Sequence, residues 1–384
     1  MKQHYQKTHF FQLYLLSKNL KPTLFSLDPK YESDKDEFED EDGNKVKFNS
    51  IIRFEHFLLY VLRLLNIEIV SFNEKKLIDT FNNNLFNEDQ DQEKIKTFFL
   101  TLIKARFLFD NYIIKRQMEK GASQTETEKW CIKKTIEEKK SVIKNTFNDE
   151  KNDLLEKIQS CLHVSYQTPS NNDWLFKCLK WLFDNSSNIQ LNEFIEENEK
   201  YACKKISDYI DKEEAYKNGT STAHIVFNYL DYLIYKNKDN KDLLGLYSDT
   251  LLQKIDFNNF SFSTARNSIE HWYPQNPGQD TNLEKIDVIA KLNDFGNLAL
   301  VTTSINSRNG NRPPLSKKKD LESFNQNGNF SLKLQIMMAL TNEDCCWMSN
   351  DNNDKNQMYC CHSKNMQDIL STALKEMSNT KDKH

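Results

Sequence analysis

The sequence predicts a mainly α protein in which a short strand-and-turn segment separates two helical regions. Three observations predict it. Glycine and proline are scarce, with 8 Gly and 7 Pro in 384 residues, which favours long helices over turn-rich β architecture. Apolar residues recur at three- and four-residue steps through most of the chain. That period fades near residue 256. Hydrophobic residues make up 38% and aromatic residues 12%, with 25 Phe and 15 Tyr, enough to bury a sizeable core.

The elements follow in order. Residues 31–42 form an acidic run, read as a solvated loop; it lacks the ligand order and mid-loop glycine of an EF-hand. Four helix stripes come next: Phe54, Phe57, Leu58, Val61, Leu62 and Leu65; Ile95, Phe98, Phe99, Leu102 and Ile103; Trp174, Leu175, Cys178, Leu179 and Leu182; Ile225, Val226, Tyr229, Leu230 and Leu233. Each lies on one helix face and implies burial. Trp174, Trp181, Phe98 and Phe99 are read as core, and His56 and His224, beside these stripes, as packed structural histidines. Residues 118–157 are dense in Lys and Glu with few apolar positions, which predicts an exposed helix. At Asp256-Phe257-Asn258-Asn259-Phe260-Ser261-Phe262 the paired asparagines suit a turn and the spaced phenylalanines a loop entering a short strand. Pro274, Pro277 and Gly278 then break the chain. After Lys319 helices resume, with stripes at Leu332, Leu334, Ile336, Met337 and Leu340 and at Met366, Ile369, Leu370, Ala373, Leu374 and Met377. The expected parts are a helical domain over 1–255, a small module over 256–320 and a helical segment over 321–384.

Net charge is -4, so any grip on nucleic acid must be local. No run of 18 apolar residues exists, which argues against a membrane span, and Met1-Lys2-Gln3-His4-Tyr5 lacks the apolar core of a secretory signal. The eight cysteines have no disulfide-framework spacing, so a reducing cytoplasm is the default.

Chemistry concentrates at Ser268-Ile269-Glu270-His271-Trp272-Tyr273-Pro274-Gln275, Gly296-Asn297-Leu298-Ala299-Leu300 and Asn306. Hydrolysis of a phosphodiester needs a base for water, a cation for the leaving oxygen and groups that hold the phosphate. A histidine with an ordinary pKa of about 6.5 is mostly neutral near pH 7 and suits the first. Mg²⁺ or another divalent cation, held by carboxylate and amide oxygens, suits the second. On a strand Glu270 and His271 point to opposite faces, unless a bent strand end or a bulge lets both reach one site. Asn306, on a following helix, can add a second oxygen. Asn297 is expected to bond backbone and fix the loop that positions His271. From Phe295 through Lys319 there is no acidic residue, while Arg308, Arg312, Lys317, Lys318 and Lys319 are basic. Arg308, Arg312 and Lys317 are the expected phosphate contacts.

The order Glu270-His271-x-x-Pro274, Asn297-Leu298, Asn306 resembles the HNH, or ββα-metal, nuclease motif. The resemblance implies a ββα-metal module over 256–320, with His271 as base, Glu270 and Asn306 as metal ligands and Asn297 orienting the hairpin. With Pro314 and Lys317 following, the segment is similar to the C-terminal nuclease domain of GmrSD-type restriction proteins. Upstream, Arg53-Phe54-Glu55-His56-Phe57-Leu58-Leu59 and Phe227-Asn228-Tyr229-Leu230-Asp231-Tyr232-Leu233 resemble helical segments of the same proteins. That likeness implies a type IV, modification-dependent endonuclease in defence against foreign DNA, and a ParB-like nucleotide-handling partner. The Asp-Gly-Gln-Gln-Arg motif of a ParB-like half does not occur in this sequence, so that half is expected as a separate subunit, or the reading frame as a truncated remnant. The alternative is a non-catalytic helical interaction protein retaining a degenerate nuclease fold; an RNA nuclease is a third possibility. Cys345, Cys346, Cys360, Cys361 and His362 cluster late in the chain, but adjacent cysteines rarely reach one zinc ion, and they are read as buried or incidental thiols.

Overall fold

Most of the apolar stripes become buried helix faces. The computed structural model describes residues 38–39, 45–67, 74–85, 92–118, 129–137, 141–168, 173–210, 216, 218–240, 247–279, 283–324, 330–344, 346–351 and 357–381. The chain divides into two compact units, Met1–Gln159 with Gln167–Asn198, and Ser160–Tyr166 with Glu199–His384.

The first unit combines helices with a sheet. Its helices are α1 (Phe54–Leu64), α2 (Leu77–Asn84), α3 (Gln92–Tyr112), most of α4 (Asn152–Ser165), α5 (Asp173–Asp184) and the start of α6 (Leu191–Ile210). Phe57, on the buried face of α1, meets Phe109 of α3 edge-on at 5.4 Å. All five apolar residues of the α5 stripe are buried; its three leucines each contribute about 1.5–3 kcal/mol on leaving water. On α3 the buried face runs through Phe98, Thr101, Ala105, Leu108 and Phe109. Phe99, expected in the core, is 53% exposed, because a neighbour of Phe98 falls about 100° round the helix.

The sheet departs from the all-helical reading of residues 1–255. Strands β1 (Phe38–Glu39), β2 (Lys45–Asn49), β3 (Lys115–Met118), β4 (Lys129–Cys131), β5 (Lys133–Glu137) and β6 (Ser141–Asn145) lie in the order β4-β3-β2-β1-β6-β5. β1 and β6 run parallel and the other neighbours antiparallel. The Lys/Glu density of 118–157 predicts an exposed helix, yet its described part holds three of these strands, and α4 starts only at Asn152. Trp130 and Cys131 on β4, Ile132 in the link to β5 and Ile143 on β6 are buried. Side-chain bonding from α4 fixes that link: Glu156 Oε1 accepts from the Ile132 amide at 2.9 Å. Of the acidic run, Phe38–Glu39 is a strand, and the rest of 31–42 lies outside the described residues.

The second unit is built round α7 (His224–Lys236), buried along its whole surface from Ile225 to Tyr235, as befits a central helix. It carries α8 (Asp249–Leu252), β7 (Arg266–His271), α9 (Ile289–Leu292), the 3-10 turn Phe295–Asn297, β8 (Leu298–Thr302), α10 (Thr303–Asn309), α11 (Pro314–Phe324), α12 (Leu332–Leu340) and α13 (Met358–Lys381). β7 and β8 form an antiparallel pair, and α10 follows directly. The asparagine-rich stretch before β7 has no regular element, and it buries Phe260 and Phe262. Two charged groups tie the layers together. Asp231 of α7 accepts from the Lys333 amide at 2.8 Å, and the Lys333 ammonium donates to the Leu298 carbonyl at the start of β8. Burial pushes the Lys333 amine down to about 7 and the Asp231 carboxyl up to about 6.

Candidate active site

Each candidate residue is set by a local device. β7 and β8 pair in register from Ser268 opposite Val301 to Glu270 opposite Ala299 and His271 opposite Leu298, and the one irregularity lies upstream, between Arg266 and Ser268. His271 ends the strand. Immediately behind it Asn297 is wholly buried and its amide is fully used. Oδ1 accepts from the Tyr273 amide at 2.7 Å and from Trp347 Nε1 at 3.0 Å. Nδ2 donates to the carbonyls of Tyr273 at 3.2 Å and Leu292 at 3.0 Å. The Asn297 carbonyl also accepts from the Trp272 amide at 2.8 Å. The two residues after His271 are thus pinned to the chain entering β8. Gly296 beside it admits no side chain: a Cβ there would stand 2.1 Å from the Tyr359 carbonyl oxygen of α13.

His271 is buried, and its Nε2 lies 3.1 Å from Asn293 Oδ1 and 3.3 Å from Gln275 Nε2. Asn293 Oδ1, the nearer of the two, can only accept, so the ring proton is on Nε2 and Nδ1 is the basic nitrogen; Gln275 Nε2, itself a donor, then makes no hydrogen bond to the ring. Burial lowers the His271 pKa from its ordinary 6.5; the Asn293 bond opposes this and the charge of Lys317 adds to it. The ring is therefore neutral at pH 7. Asn293 is itself set by Gly219, which holds a φ of +55°, a region that favours glycine; a Cβ at Gly219 would stand 2.6 Å from Asn293 Cγ and Oδ1.

Glu270 leaves β7 with different partners. Lys317, fully buried on α11, donates to Glu270 Oε1 at 2.7 Å and to the His271 carbonyl at 2.6 Å. Burial raises the Glu270 pKa and the Lys317 ammonium opposes it. Burial in turn lowers the Lys317 pKa against the pull of Glu270. At this distance the pair is an ion pair. α10 begins with Thr302 accepting from the Ile305 amide, ends at Gly310 with a φ of +49°, and lies along β7. Its half-buried Asn306 donates from Nδ2 to Ser268 Oγ at 2.6 Å. Asn309, three residues on, is wholly buried beside Glu270.

Lys317 therefore joins the Glu270 carboxylate to the backbone of His271, while the His271 ring is held by Asn293, with Gln275 beside it. The pairing is regular through both residues, and no bulge turns the two side chains to one face. Asn306 of α10 bonds Ser268, two residues before Glu270, and Asn297 stands behind His271. The expected phosphate-binding trio does not form one patch. Lys317 is inside the protein, and Arg308 and Arg312 reach Asp320 Oδ2 at 2.5 Å and 3.3 Å. Asp320 lies one residue past the acid-free run, so helix geometry returns to the arginines a carboxylate that sequence counting places outside it. Sequence reasoning also passes over Asn293, hidden in the long gap between His271 and Asn297, and Asn309, whose three-residue spacing from Asn306 puts it on the same helix face.

A divalent cation fits these residues. Glu270, Asn306 and the buried Asn309 amide supply hard oxygen atoms, and Asn309 Oδ1 accepts from no donor among the described residues. Among those residues no group of three His, Cys, Asp or Glu side chains could hold a metal ion. Cys345 lies outside the described residues; Cys360 and Cys361 are exposed, while His362 is buried with Nδ1 3.0 Å from the Tyr247 hydroxyl.

The β7–β8–α10 unit and Lys317 all lie inside a segment that matches a known family. Residues 204–357 match the family model of GmrSD restriction endonucleases, C-terminal domain. The chain carries a GmrSD-like C-terminal domain. No curated protein and no solved structure matches the chain. Among the described residues no helix is long and apolar enough to cross a membrane.

Proposed function

We propose that the second unit of this protein is a divalent-metal-dependent DNA endonuclease of a restriction system, with β7, β8 and α10 as a ββα-metal module. The observation that carries the reading is a neutral, buried histidine ending a strand directly after a buried carboxylate, with a helix lying along that strand and bonding it through Asn306. The match to GmrSD restriction endonucleases supports a nuclease function.

A phosphodiester lies across the end of β7. His271 Nδ1 takes a proton from water as its oxygen attacks phosphorus, and the bond from phosphorus to the leaving oxygen breaks. Asn293 keeps the ring in the tautomer that leaves Nδ1 basic. Glu270 and Asn306 would hold Mg²⁺ or another divalent cation, which when bound would supply charge neutralisation to the phosphate. Lys317 fixes the carboxylate from inside. Asn297 anchors the loop and contributes to chemistry only through His271. Arg308 and Arg312 bind phosphate if DNA draws them from Asp320. The GmrSD likeness adds foreign, modified DNA as substrate and a ParB-like nucleotide-handling partner.

The test is cleavage of plasmid and modified phage DNA with Mg²⁺, with and without a ParB-like partner, and with RNA in parallel. Wild type is expected to cut DNA, and His271→Ala is expected to lose at least about 100-fold in rate, the scale of a general base. Cleavage undiminished in His271→Ala would remove the histidine from the mechanism. No cleavage by wild type under any of these conditions would favour a non-catalytic interaction protein.

A further inference from the structure

Asn309 carries a feature that the roles above leave unexplained. Its side chain is wholly buried and its amide NH2 is the group that can donate to the Glu270 carboxylate, yet Oδ1 accepts from no donor among the described residues. Buried polar groups are normally paired, and each left unpaired costs about 1–3 kcal/mol. An arrangement of that cost at the last residue of a helix asks what completes it.

Register supplies the answer. Ser268 and Glu270, two residues apart on β7, share one face of the strand. Asn306 and Asn309, three residues apart on α10, share one face of the helix. Asn306 Nδ2 meets Ser268 Oγ at 2.6 Å, so the next pair along the same contact sets Asn309 against Glu270. Burial raises the Glu270 pKa, and a hydrogen bond from the Asn309 amide is among the contacts that oppose the rise. Gly310 then turns the chain away at a φ of +49°, and the amide stays enclosed beside the carboxylate.

We propose that Asn309 Oδ1 is a further protein ligand of a divalent cation held at Glu270. A neutral amide oxygen beside one carboxylate is a hard donor suited to Mg²⁺ or Mn²⁺, whose remaining positions water and phosphate fill. The proposal rests on the reading of Glu270 as a cation site, and its test separates the two. Mn²⁺ alone is titrated calorimetrically into the full chain without DNA, for wild type, Asn309→Leu, Asn309→Asp and Glu270→Gln. Wild type is expected to bind, Glu270→Gln to lose binding, and Asn309→Leu to bind at least tenfold more weakly. Asn309→Asp, nearly isosteric, is expected to bind more tightly and to gain more in melting temperature from Mn²⁺ than wild type. If Asn309→Leu matches wild type while Glu270→Gln does not bind, the amide is no ligand and the cation site stands. If Asn309→Leu fails to fold, an Asn309→Asp affinity equal to that of wild type overturns the proposal. If wild type and Glu270→Gln behave alike, the cation site itself fails and Asn309 loses its role with it.

Discussion

Replacing Asn297 tests how the loop behind His271 is held. Asn297→Leu keeps roughly the volume of the side chain and removes its four hydrogen bonds, to the Tyr273 amide, Trp347 Nε1 and the carbonyls of Tyr273 and Leu292. All four partners are left in a wholly buried environment. At about 1 kcal/mol for each lost partner the cost is about 4 kcal/mol. The added apolar surface of leucine returns about 1 kcal/mol, which leaves a net loss of about 3 kcal/mol. That is a large share of the ~5–15 kcal/mol stability of a typical domain. Urea unfolding followed by tryptophan fluorescence is the assay, because Trp272 and Trp347 pack in the core of the same unit. The transition that moves these tryptophans is expected to shift by that amount. Asn297→Asp is expected to fare no better, since it keeps an acceptor for Tyr273 and Trp347 but sets a buried charge against two carbonyl oxygens. A loss under about 1 kcal/mol in Asn297→Leu, or wild-type stability in Asn297→Asp, would refute the clamp.

Three further outcomes follow from the same contacts. Gly296→Ala places a Cβ 2.1 Å from the Tyr359 carbonyl oxygen; one backbone must move, so a loss of at least about 2 kcal/mol is expected on thermal melting, and an unchanged melting temperature would contradict the close approach. Burial depresses the pKa of His271 below 6.5, so the unfolded chain binds its proton first as pH falls. The stability from a neutral His271 is present above pH 6.5 and is lost as pH drops through the folded pKa, and His271→Asn should flatten that part of the stability–pH curve. Lys333, held down to about 7, acts over another window: between about pH 7 and its unfolded pKa the unfolded chain binds more protons, so stability should rise with pH there. Lys333→Met should remove the rise, which a series of melts between pH 7 and 9 would reveal.

Helices were legible where apolar residues recur at helical steps, whether one face is buried, as on α5, or every face, as on α7. The stripes on α1, α5 and α7 appear in the sequence because three- and four-residue spacing needs no distant partner. The sheet of the first unit was hidden for the opposite reason. Trp130 and Ile143 belong to separate short strands among lysines, with Ile132 in the link between two strands, and only long-range pairing makes them a core. At the site, Glu270, His271, Asn297 and Asn306 could be picked out because their order in sequence is itself the pattern. The roles of the charges could not be read. Lys317 looks like any residue of a basic loop until α11 carries it to 2.7 Å from Glu270. Asp320 lies outside the acid-free run by sequence and against Arg308 and Arg312 in space. Asn293 reaches His271, and Gly219 reaches Asn293, only through a fold that brings residues far apart in sequence together.

Chemical rescue tests the central claim, that His271 is the base of a DNA-cutting site, most directly. His271→Gly removes the imidazole and leaves a space for one from solution. Single-turnover cleavage of DNA with Mg²⁺ should fall at least about 100-fold in this variant and should recover in proportion to added imidazole, while wild type is indifferent to it. Cleavage by His271→Gly at the wild-type rate, or a deficit that imidazole leaves untouched while the variant remains folded, would contradict it.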